Sequence, residues 1–267
     1  MVSSSAPQHA VILAAGLGSR LRPFTDDRPK PLVEVRGVPI LHNALRNLAQ
    51  AGVKQTTIVV GYRREAIQGR CGESFAGMRI VYVESDAFDR TGSAYSLWLT
   101  REALRSGDTW LLEGDVFFER ALLARMLRCE GDVAAVDVFD ETISGSAALL
   151  TPEGSVQEFR MGQNAATALG KSLYKTVNIY RFTANTLQRV IVPALDRVIG
   201  GGDRRCYVEQ VLAQVLATQE LKLHGAVCRG VHWYEIDNEA DLRRAEQIFN
   251  PAAHAELLDL APSYLPA

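Results

Sequence analysis

Residues 9–32 read HAVILAAGLGSRLRPFTDDRPKPL, an apolar run that leads directly into a loop containing glycine. The run Ala10–Ala14 has no polar face, which is typical of a strand buried on both sides of a sheet. Residues 15–20 are mostly small, so their backbone can approach a flat base and hold phosphate oxygens on its N–H groups. Because Arg20 and Lys30 add positive charge, this segment predicts a polyphosphate-binding loop at the end of a central strand.

Two familiar glycine motifs do not fit this loop. The dinucleotide fingerprint G-x-G-x-x-G would need glycine where Leu21 stands, and the P-loop would need a lysine after Gly18. The remaining pattern, L-A-A-G-x-G-S-R-L with K-P-L downstream, resembles the signature of the nucleotidyltransferases that make nucleoside-diphosphate sugars and CDP-alcohols. The competing interpretation is a generic turn between a strand and a helix in an α/β domain.

The resemblance implies that the glycine loop wraps a nucleoside triphosphate. Arg20 and Lys30 would then bind its phosphates and act in catalysis. The residues of this segment that the resemblance assigns to nucleotide binding are Leu13, Ala14, Ala15, Gly16, Gly18, Ser19, Arg20 and Lys30.

Length and composition indicate a globular protein with a large core. The chain has 267 residues, of which 47% are hydrophobic, and its net charge of −2 lacks the basic excess typical of nucleic-acid binders. It has neither an apolar run long enough to cross a bilayer nor a signal-peptide pattern at its start. The four cysteines form no C-x-x-C pair. We therefore expect a cytoplasmic, reduced protein without nucleic-acid or membrane partners.

The order of predicted elements favours an α/β fold. Strands near residues 10–14, 33–35, 54–60 and 80–83 alternate with helices over 39–51 and 63–70, which indicates a parallel sheet with helices on both faces. The resemblance implies a Rossmann-like three-layer sandwich of the GT-A-like nucleotidyltransferase type. It would have a mostly parallel central sheet and a small acceptor-side lobe.

We expect a single domain over residues 1–267. Its nucleotide-binding part would cover 9–138. The acceptor-side lobe, the returning strands and a metal-binding motif would cover 139–250, and a tail with a peripheral helix would cover 251–267.

A second segment, Glu84 to Ala94, matches the family less closely. Sugar nucleotidyltransferases have Gln near position 84 and Gly-Thr-Ala near 92–94, and this pair reads the base; here Glu84, Gly92 and Ser93 stand there. A carboxylate only accepts hydrogen bonds, and cytosine offers an amino donor where uracil and thymine offer a carbonyl. The exchange therefore favours CTP, although Glu84 equally fits a solvated charge at a strand end. Ser93 is also a predicted N-cap of a helix over 93–104.

Three acidic residues are candidate metal ligands. Asp115 follows a predicted strand, at the edge where open parallel sheets bind ligands. Glu235 and Asp237 are two residues apart, so on a strand both face one side. The closing motif W-Y-E-I-D-x-x-x-D-L resembles that of the cytidylyltransferases for phosphocholine and small phosphonates, which implies that Asp115, Glu235 and Asp237 hold Mg²⁺. The alternatives are that Asp115 caps a following helix and that Asp237 only begins the last one.

The reaction implied by these parts is attack of an acceptor phosphate or phosphonate oxygen on the α-phosphorus, with release of pyrophosphate. The nucleophile is ionised near pH 7, so positioning and charge neutralisation would suffice. None of the five histidines has metal-like spacing. Family relatives place a second lysine near the acceptor or the α-phosphate; Lys175 is the candidate and Lys171 the reserve.

The acceptor is less well determined. The candidates are 2-aminoethylphosphonate, 2-hydroxyethylphosphonate and phosphocholine, with CTP as the other partner. A choline group would favour an aromatic cage, and residues 140–175 contain few aromatics. Trp98, Trp233 and Tyr95 could form a cage or belong to the core.

A homodimer is left open by the sequence. Two other function classes are left open as well. One is a sugar-1-phosphate nucleotidyltransferase using UTP, dTTP or GTP, which usually carries a Glu-Lys-Pro motif that is absent here. The other is a non-catalytic nucleotide-binding regulatory module.

Overall fold

The computed structural model describes residues 6–139 and 143–250. Their strands are β1 (His9–Ala14), β2 (Glu34–Val35), β3 (Val38–Pro39), β4 (Gln55–Val60), β5 (Ser74–Phe75), β6 (Met78–Glu84), β7 (Thr109–Glu113), β8 (Val116–Phe118), β9 (Asp132–Asp137), β10 (Ser144–Leu150), β11 (Val156–Asn164), β12 (Leu173–Phe182), β13 (Leu223–Val227) and β14 (Trp233–Glu235). The predicted tail helix after residue 250 lies outside these residues.

The helices of the same residues are α1 (Ile40–Gln50), α2 (Arg64–Cys71), α3 (Ser93–Leu99), α4 (Arg101–Leu104), α5 (Ala121–Met126), α6 (Ala165–Ala168), α7 (Ala184–Thr186), α8 (Val192–Gly200), α9 (Val208–Ala217) and α10 (Glu239–Ile248). A π-helical segment, Leu187–Ile191, joins α7 to α8. No described helix has the length and apolar character needed to cross a membrane.

Ten strands form one mixed sheet in the order β11-β10-β12-β7-β1-β4-β6-β5, and β9 connects β12 to β13. The central pairs β7–β1, β1–β4 and β4–β6 are parallel. β12 is antiparallel to β7, β9 and β10. The predicted α/β fold with a parallel central sheet is confirmed, and the antiparallel strands extend that same sheet on one side.

β1 is buried on both faces because alternate residues pack into different cores. Ile12 belongs to a cluster that includes Leu41 and Leu45 of α1, whereas Val11 and Leu13 belong to the cluster formed with α3, α8 and α9. Side chains alternate across a strand, so the sheet is the middle of three layers. This explains why the first apolar run has no polar face.

A third cluster joins the beginning of the chain to its end. Leu21, which follows the glycine loop, packs with Tyr234 and Ile236 of the closing motif and with Leu242 of α10. Leu21 is fully buried. The cluster therefore fixes the position of the first loop relative to β14.

Several local predictions are corrected by the structure. The predicted helix over 93–104 is interrupted at Thr100, whose hydroxyl bonds back to the Leu97 carbonyl. Ser93 does not cap that helix: Gly92 occupies the cap, and the Ser93 hydroxyl accepts a hydrogen bond from the Val208 amide at the start of α9. The small and polar segment 162–170 contains the end of β11 and α6.

Candidate active site

A crevice of about 690 Å³ opens at the carboxyl ends of β1 and β7, the edge at which open parallel sheets bind ligands. It brings together residues from both ends of the chain. Most predicted site residues line it, namely Leu13, Ala14, Ala15, Gly16, Gly18, Ser19, Arg20, Lys30, Gly92, Ser93, Asp115, Lys175, Glu235 and Asp237.

The glycine loop is shaped by a close approach between Gly18 and Lys30. Gly18 has φ 61°, and a Cβ at this position would lie 2.7 Å from the Lys30 Cβ. The Thr25 hydroxyl donates to the Gly18 carbonyl over 2.9 Å. Glycine is thus required both by the left-handed backbone and by the lysine packed against it.

Lys30 bridges two of the three predicted metal ligands. Its Nζ lies 2.9 Å from Asp115 Oδ2 and 2.7 Å from Asp237 Oδ1. Arg20 reaches the same Asp237 oxygen over 2.8 Å, from a much more exposed position. The basic loop and the acidic motif therefore form one wall of paired charges.

The pKa values of Lys30 and Asp237 move toward their charged forms. Burial opposes the charge on Lys30, but Asp115 and Asp237 outweigh it and raise the lysine pKa above its ordinary value. Burial also opposes ionisation of Asp237, yet Lys30 and Arg20 leave its pKa below the ordinary value. Both groups are charged at neutral pH.

The three acidic residues are arranged as a cation site. One carboxylate oxygen from each of Asp115, Glu235 and Asp237 lies within 4.8 Å of the others. The second oxygen of Asp115, Oδ1, is buried and has no hydrogen-bond partner. Carboxylate oxygens are the ligands that Mg²⁺ prefers, so the donor set and the unpaired oxygen fit such an ion.

Helix capping does not account for these acids. Asp115 is followed by β8 and not by a helix. At the start of α10, the Asn238 side chain accepts from the Ala240 and Asp241 amides and caps the helix. The Asp237 carboxylate is therefore directed to Lys30 and Arg20 and is not used as the cap.

Lys175 lies deep in the crevice, whereas Lys171 does not line it. The Lys175 side chain is 1% exposed, and its Nζ contacts Glu235 Oε2 over 2.9 Å. Glu235 also accepts from Asn178 Nδ2 over 3.2 Å. Lys171 is exposed and donates to the Thr167 carbonyl. Of the two lysines proposed from the sequence, only Lys175 is placed to contact a substrate in the crevice.

Asn178 has an unusual backbone in the middle of β12. Its φ is 61°, and the pairing of β12 with β9 shifts register between Thr176 and Tyr180. Such a conformation is uncommon for a residue other than glycine and concentrates at functional sites. The irregularity lies where the Asn178 side chain lines the crevice.

Glu84 is the predicted site residue that the structure does not bring to the crevice. It ends β6 with an exposed side chain and pairs with Arg64 over 2.8 Å. Of the two interpretations of Glu84, its observed position matches that of a solvent-exposed charge at the end of a strand. The base-reading role is not supported by its position, because the strand end directs this side chain to α2.

Two acidic residues in the crevice were not predicted as site residues. Glu113 is the last residue of β7, and Glu209 lies in the first turn of α9, where its side chain is buried. Burial and the charge of Glu209 raise the pKa of Glu113 well above its ordinary value. Glu113 could have been noticed as the residue two before Asp115. Glu209 gives no sequence signal, because an acid in a first helical turn is common.

The candidate cage aromatics have other partners. Tyr95 stacks on Trp98, which also holds Arg101 over its ring and donates to Asp196. Trp233 donates to Asp137. Of the described residues that line the crevice, only Phe88 and Tyr207 are aromatic. Tyr95, Trp98 and Trp233 therefore form no cage around the crevice.

Comparisons with known proteins show what this chain is similar to. Residues 9–139 match the sequence model of the nucleotidyl transferase family. A CMP-5'-(3-aminopropyl)phosphonate synthase from Streptomyces rubellomurinus is 35% identical over 92% of this chain and 39% of that protein. The chain thus spans about two fifths of that relative. A 2-aminoethylphosphonate cytidylyltransferase from Lancefieldella rimae is 26% identical over 90% of this chain and 92% of that protein.

A solved structure shows the same fold. The CTP:phosphocholine cytidylyltransferase from Streptococcus pneumoniae superposes with a TM-score of 0.76 at 23% identity, covering 91% of this chain and 99% of that one. The similarity of fold thus extends beyond the glycine loop to 91% of this chain. Residues 9–139 form a nucleotidyl transferase domain.

Proposed function

We propose that this protein is a cytidylyltransferase that transfers CMP from CTP to a small acceptor carrying a phosphonate or phosphate group, with release of pyrophosphate. The observation that carries the proposal is the meeting of Arg20 and Lys30 with Asp115 and Asp237 in one crevice. A basic loop beside an acidic ligand set is what a metal-bound triphosphate requires.

The choice of CTP is supported by relatives that align with nearly the whole chain. The Streptomyces and Lancefieldella proteins are named for cytidylyl transfer to aminoalkylphosphonates, and each alignment covers at least 90% of this chain. Both alignments include the acceptor side as well as the glycine loop. Base selection would then depend on residues around the loop and Gly92, since Glu84 lies elsewhere.

Each group of site residues has a different role in the proposed reaction. Arg20 and Lys30 hold the phosphates of the nucleotide and neutralise charge on the departing pyrophosphate. Asp115, Glu235 and Asp237 would hold Mg²⁺, which, when bound, would neutralise charge on the triphosphate. Lys175 orients the acceptor oxygen toward the α-phosphorus. The acceptor oxygen is already ionised, so the chain needs no strong base.

The test is a matrix of nucleotides and acceptors scored by pyrophosphate release. CTP, UTP, dTTP and GTP are each combined with phosphonates, phosphocholine and hexose 1-phosphates. We expect turnover with CTP and small phosphonates, lost on addition of a chelator. Turnover restricted to UTP and a hexose phosphate would overturn the proposal.

The site assignment is tested separately. Asp115→Asn and Asp237→Asn should each lower turnover by about 10²- to 10³-fold, because each removes a carboxylate that would hold the Mg²⁺ needed to neutralise the reacting phosphates. Glu239→Gln, an exposed acid two residues after Asp237, is the matched control and should retain activity. Full metal-dependent turnover in both Asn variants would show that the assignment is wrong.

A further inference from the structure

Asn178 differs from the other residues that have a left-handed backbone. Apart from glycines, the described residues with positive φ are Arg36, Arg63, Ala76, Asn178 and Gln219. All of them except Asn178 are exposed and lie in turns. Asn178 is 4% exposed and lies inside β12. Because this backbone conformation is unfavourable for a residue other than glycine, the surrounding structure must hold it in place.

The left-handed residue lies where β12 changes its neighbour in the sheet. Residues of β12 up to Lys175 pair with β10, and residues from Ile179 pair with β7. From Thr176 to Tyr180, β12 advances four residues while the paired strand β9 advances only two. The extra residues form a bulge, and bulges beside active sites commonly redirect a side chain. Here the bulge places the Asn178 side chain in the lining of the crevice.

The Asn178 carboxamide is directed to Glu235. Its Nδ2 donates to Glu235 Oε1 over 3.2 Å. Because a carboxylate only accepts hydrogen bonds, the amide nitrogen and not the carbonyl oxygen of Asn178 must face Glu235. The Asn178 Oδ1 is buried and has no hydrogen-bond partner among the described residues. The contact with Glu235 is therefore the hydrogen bond that the bulge provides for this side chain.

Glu235 is held at both of its carboxylate oxygens. Lys175 Nζ lies 2.9 Å from Oε2, while Asn178 binds Oε1. The backbone is fixed as well, since β14 pairs with β8 and the Ile236 amide donates to the Asp115 carbonyl over 3.0 Å. Rotation of the Glu235 carboxylate would break an ion pair or a hydrogen bond, so its orientation in the acidic cluster is set by these neighbours.

We propose that Asn178 is a positioning residue for the divalent-cation site. Its left-handed backbone directs Nδ2 to Glu235, and Asn178 and Lys175 together hold that carboxylate beside Asp115 and Asp237. This inference rests on the metal site of the proposed function and adds the residue that sets the orientation of one of its ligands.

A carboxylate that is fixed at both oxygens favours Mg²⁺ over Ca²⁺. Mg²⁺ demands near-ideal octahedral geometry and takes few protein ligands, whereas Ca²⁺ takes more oxygens and often binds both oxygens of one carboxylate. To offer both oxygens to one ion, Glu235 would have to give up its contacts with Asn178 and Lys175. Residues that orient a metal ligand commonly change metal affinity by about 10- to 100-fold. Asn178 would therefore contribute to the affinity for Mg²⁺ and to its preference over Ca²⁺.

The experiment measures the binding of Mn²⁺ to the protein without nucleotide, by electron paramagnetic resonance, and its displacement by Mg²⁺ or Ca²⁺. Asn178→Gly keeps the left-handed backbone and removes the carboxamide. We expect the dissociation constant of Mg²⁺ to rise by about tenfold or more in this variant, and that of Ca²⁺ to rise less. Equal changes for the two ions, or no change, would overturn the inference. Asn185→Gly, at an exposed asparagine of α7, is the control and should bind both ions as the wild type does.

A second substitution separates the side chain from the backbone. Asn178→Ala also removes the carboxamide, but alanine fits a left-handed backbone poorly. Urea unfolding should therefore show a lower stability for Asn178→Ala than for Asn178→Gly, whereas both variants should lose the preference for Mg²⁺ to the same extent. A loss of preference that followed stability and not the carboxamide would contradict the positioning role.

A double variant separates positioning from direct binding of the ion. In Glu235→Ala the carboxylate that Asn178 holds is absent, so adding Asn178→Gly should not weaken Mg²⁺ binding further. A further loss in the double variant would mean that Asn178 Oδ1 itself binds the ion, and it would overturn the positioning role.

The outcomes separate this inference from the proposed function. A wild type that binds none of the three ions overturns the metal site of the proposed function, and the role of Asn178 with it. Binding by the wild type that Asn178→Gly leaves unchanged overturns only the role of Asn178, and the proposed transfer from CTP does not depend on that result.

Discussion

Lys30 Nζ lies 2.7 Å from Asp237 Oδ1, although 207 residues separate the two in the chain. The same ammonium contacts Asp115, so one lysine joins the two acids that we assign to the metal. The third core cluster holds this arrangement by packing Leu21 against Tyr234 and Ile236. Lys30 therefore occupies the space between carboxylates that a divalent cation would share.

Replacing Lys30 should raise the affinity for Mg²⁺ and lower turnover. In Lys30→Met, Mg²⁺ would no longer compete with an ammonium, and we expect its affinity in the absence of nucleotide to rise about tenfold, or about 1.4 kcal/mol. Turnover should fall sharply because a phosphate ligand is lost. Calorimetric titration with Mg²⁺ and pyrophosphate release measure the two effects. Lys171→Met, outside the crevice, is the control, and unchanged or weaker metal binding in Lys30→Met would contradict the expectation.

His42 predicts a pH dependence of stability. Burial lowers its pKa to about 4, and its Nε2 has no hydrogen-bond partner. The unfolded chain binds this proton near pH 6.5, so the stabilisation is complete above that pH and is lost as pH falls toward 4.

Urea unfolding at pH 7 and pH 5.5 tests this effect. Compared with His42→Leu, the wild type should lose on the order of 1 kcal/mol more unfolding free energy between these pH values, allowing for the exposed part of the ring. Parallel pH profiles of the two proteins would show that His42 is not responsible.

Asn43 should support β8 and, through it, the acidic cluster of Asp115, Glu235 and Asp237. Its Oδ1 accepts from the Phe118 amide over 3.0 Å, and Asn47 Nδ2 donates to the Phe118 carbonyl over 2.8 Å. Asn43→Leu would leave a buried amide unpaired and should lower the unfolding free energy by about 1–3 kcal/mol. Because β8 pairs with β14 and Glu235, turnover should also fall.

The measurement is urea unfolding together with pyrophosphate release. The exposed Asn185→Leu serves as control and should change neither stability nor turnover appreciably. Wild-type stability in Asn43→Leu would mean that the Phe118 amide finds another acceptor.

Gly92 is required by contact with the segment before α9. A Cβ at this position would lie 2.2 Å from the Cys206 carbonyl oxygen and 2.4 Å from that of Arg205. Gly92→Ala should displace this segment, costing about 1–3 kcal/mol and raising the KM of the acceptor. Gly69→Ala, in α2 with open space around it, should be neutral or stabilising. Thermal unfolding and acceptor kinetics check both; a normal acceptor KM in Gly92→Ala would contradict the link.

The sequence is sufficient to predict the central strand, the glycine loop and the acidic motif. Apolar runs and i, i+2 spacing are local properties of the sequence. In this chain the elements that they predict are present in the fold. Lys30, Asp115 and Asp237 could be named as candidates because each lies in a short recognisable pattern. Their roles remain predictions, although the structure places all three in one crevice.

Other features depend on contacts that no local pattern shows. Glu84 fits a base-reading motif by position, yet its side chain pairs with Arg64 of α2. The sequence around Asn178 has an ordinary strand pattern. Its left-handed backbone lies at a register shift of β12 that the sequence does not indicate. Ser93 was expected to cap its own helix and instead bonds to α9. Each outcome is decided by a neighbour that is distant in the chain.

β12 has a consequence for redesign of this protein. Residues Leu173–Lys175 pair with β10, and Ile179–Phe182 pair with β7, so a single strand runs from the expected acceptor-side lobe into the parallel core. β9, which precedes the expected boundary at residue 139, pairs with β12 as well. A chimera joined at that boundary would cut through a continuous hydrogen-bonded ladder. New acceptor specificity is better engineered by exchanging side chains along this strand than by grafting a foreign lobe.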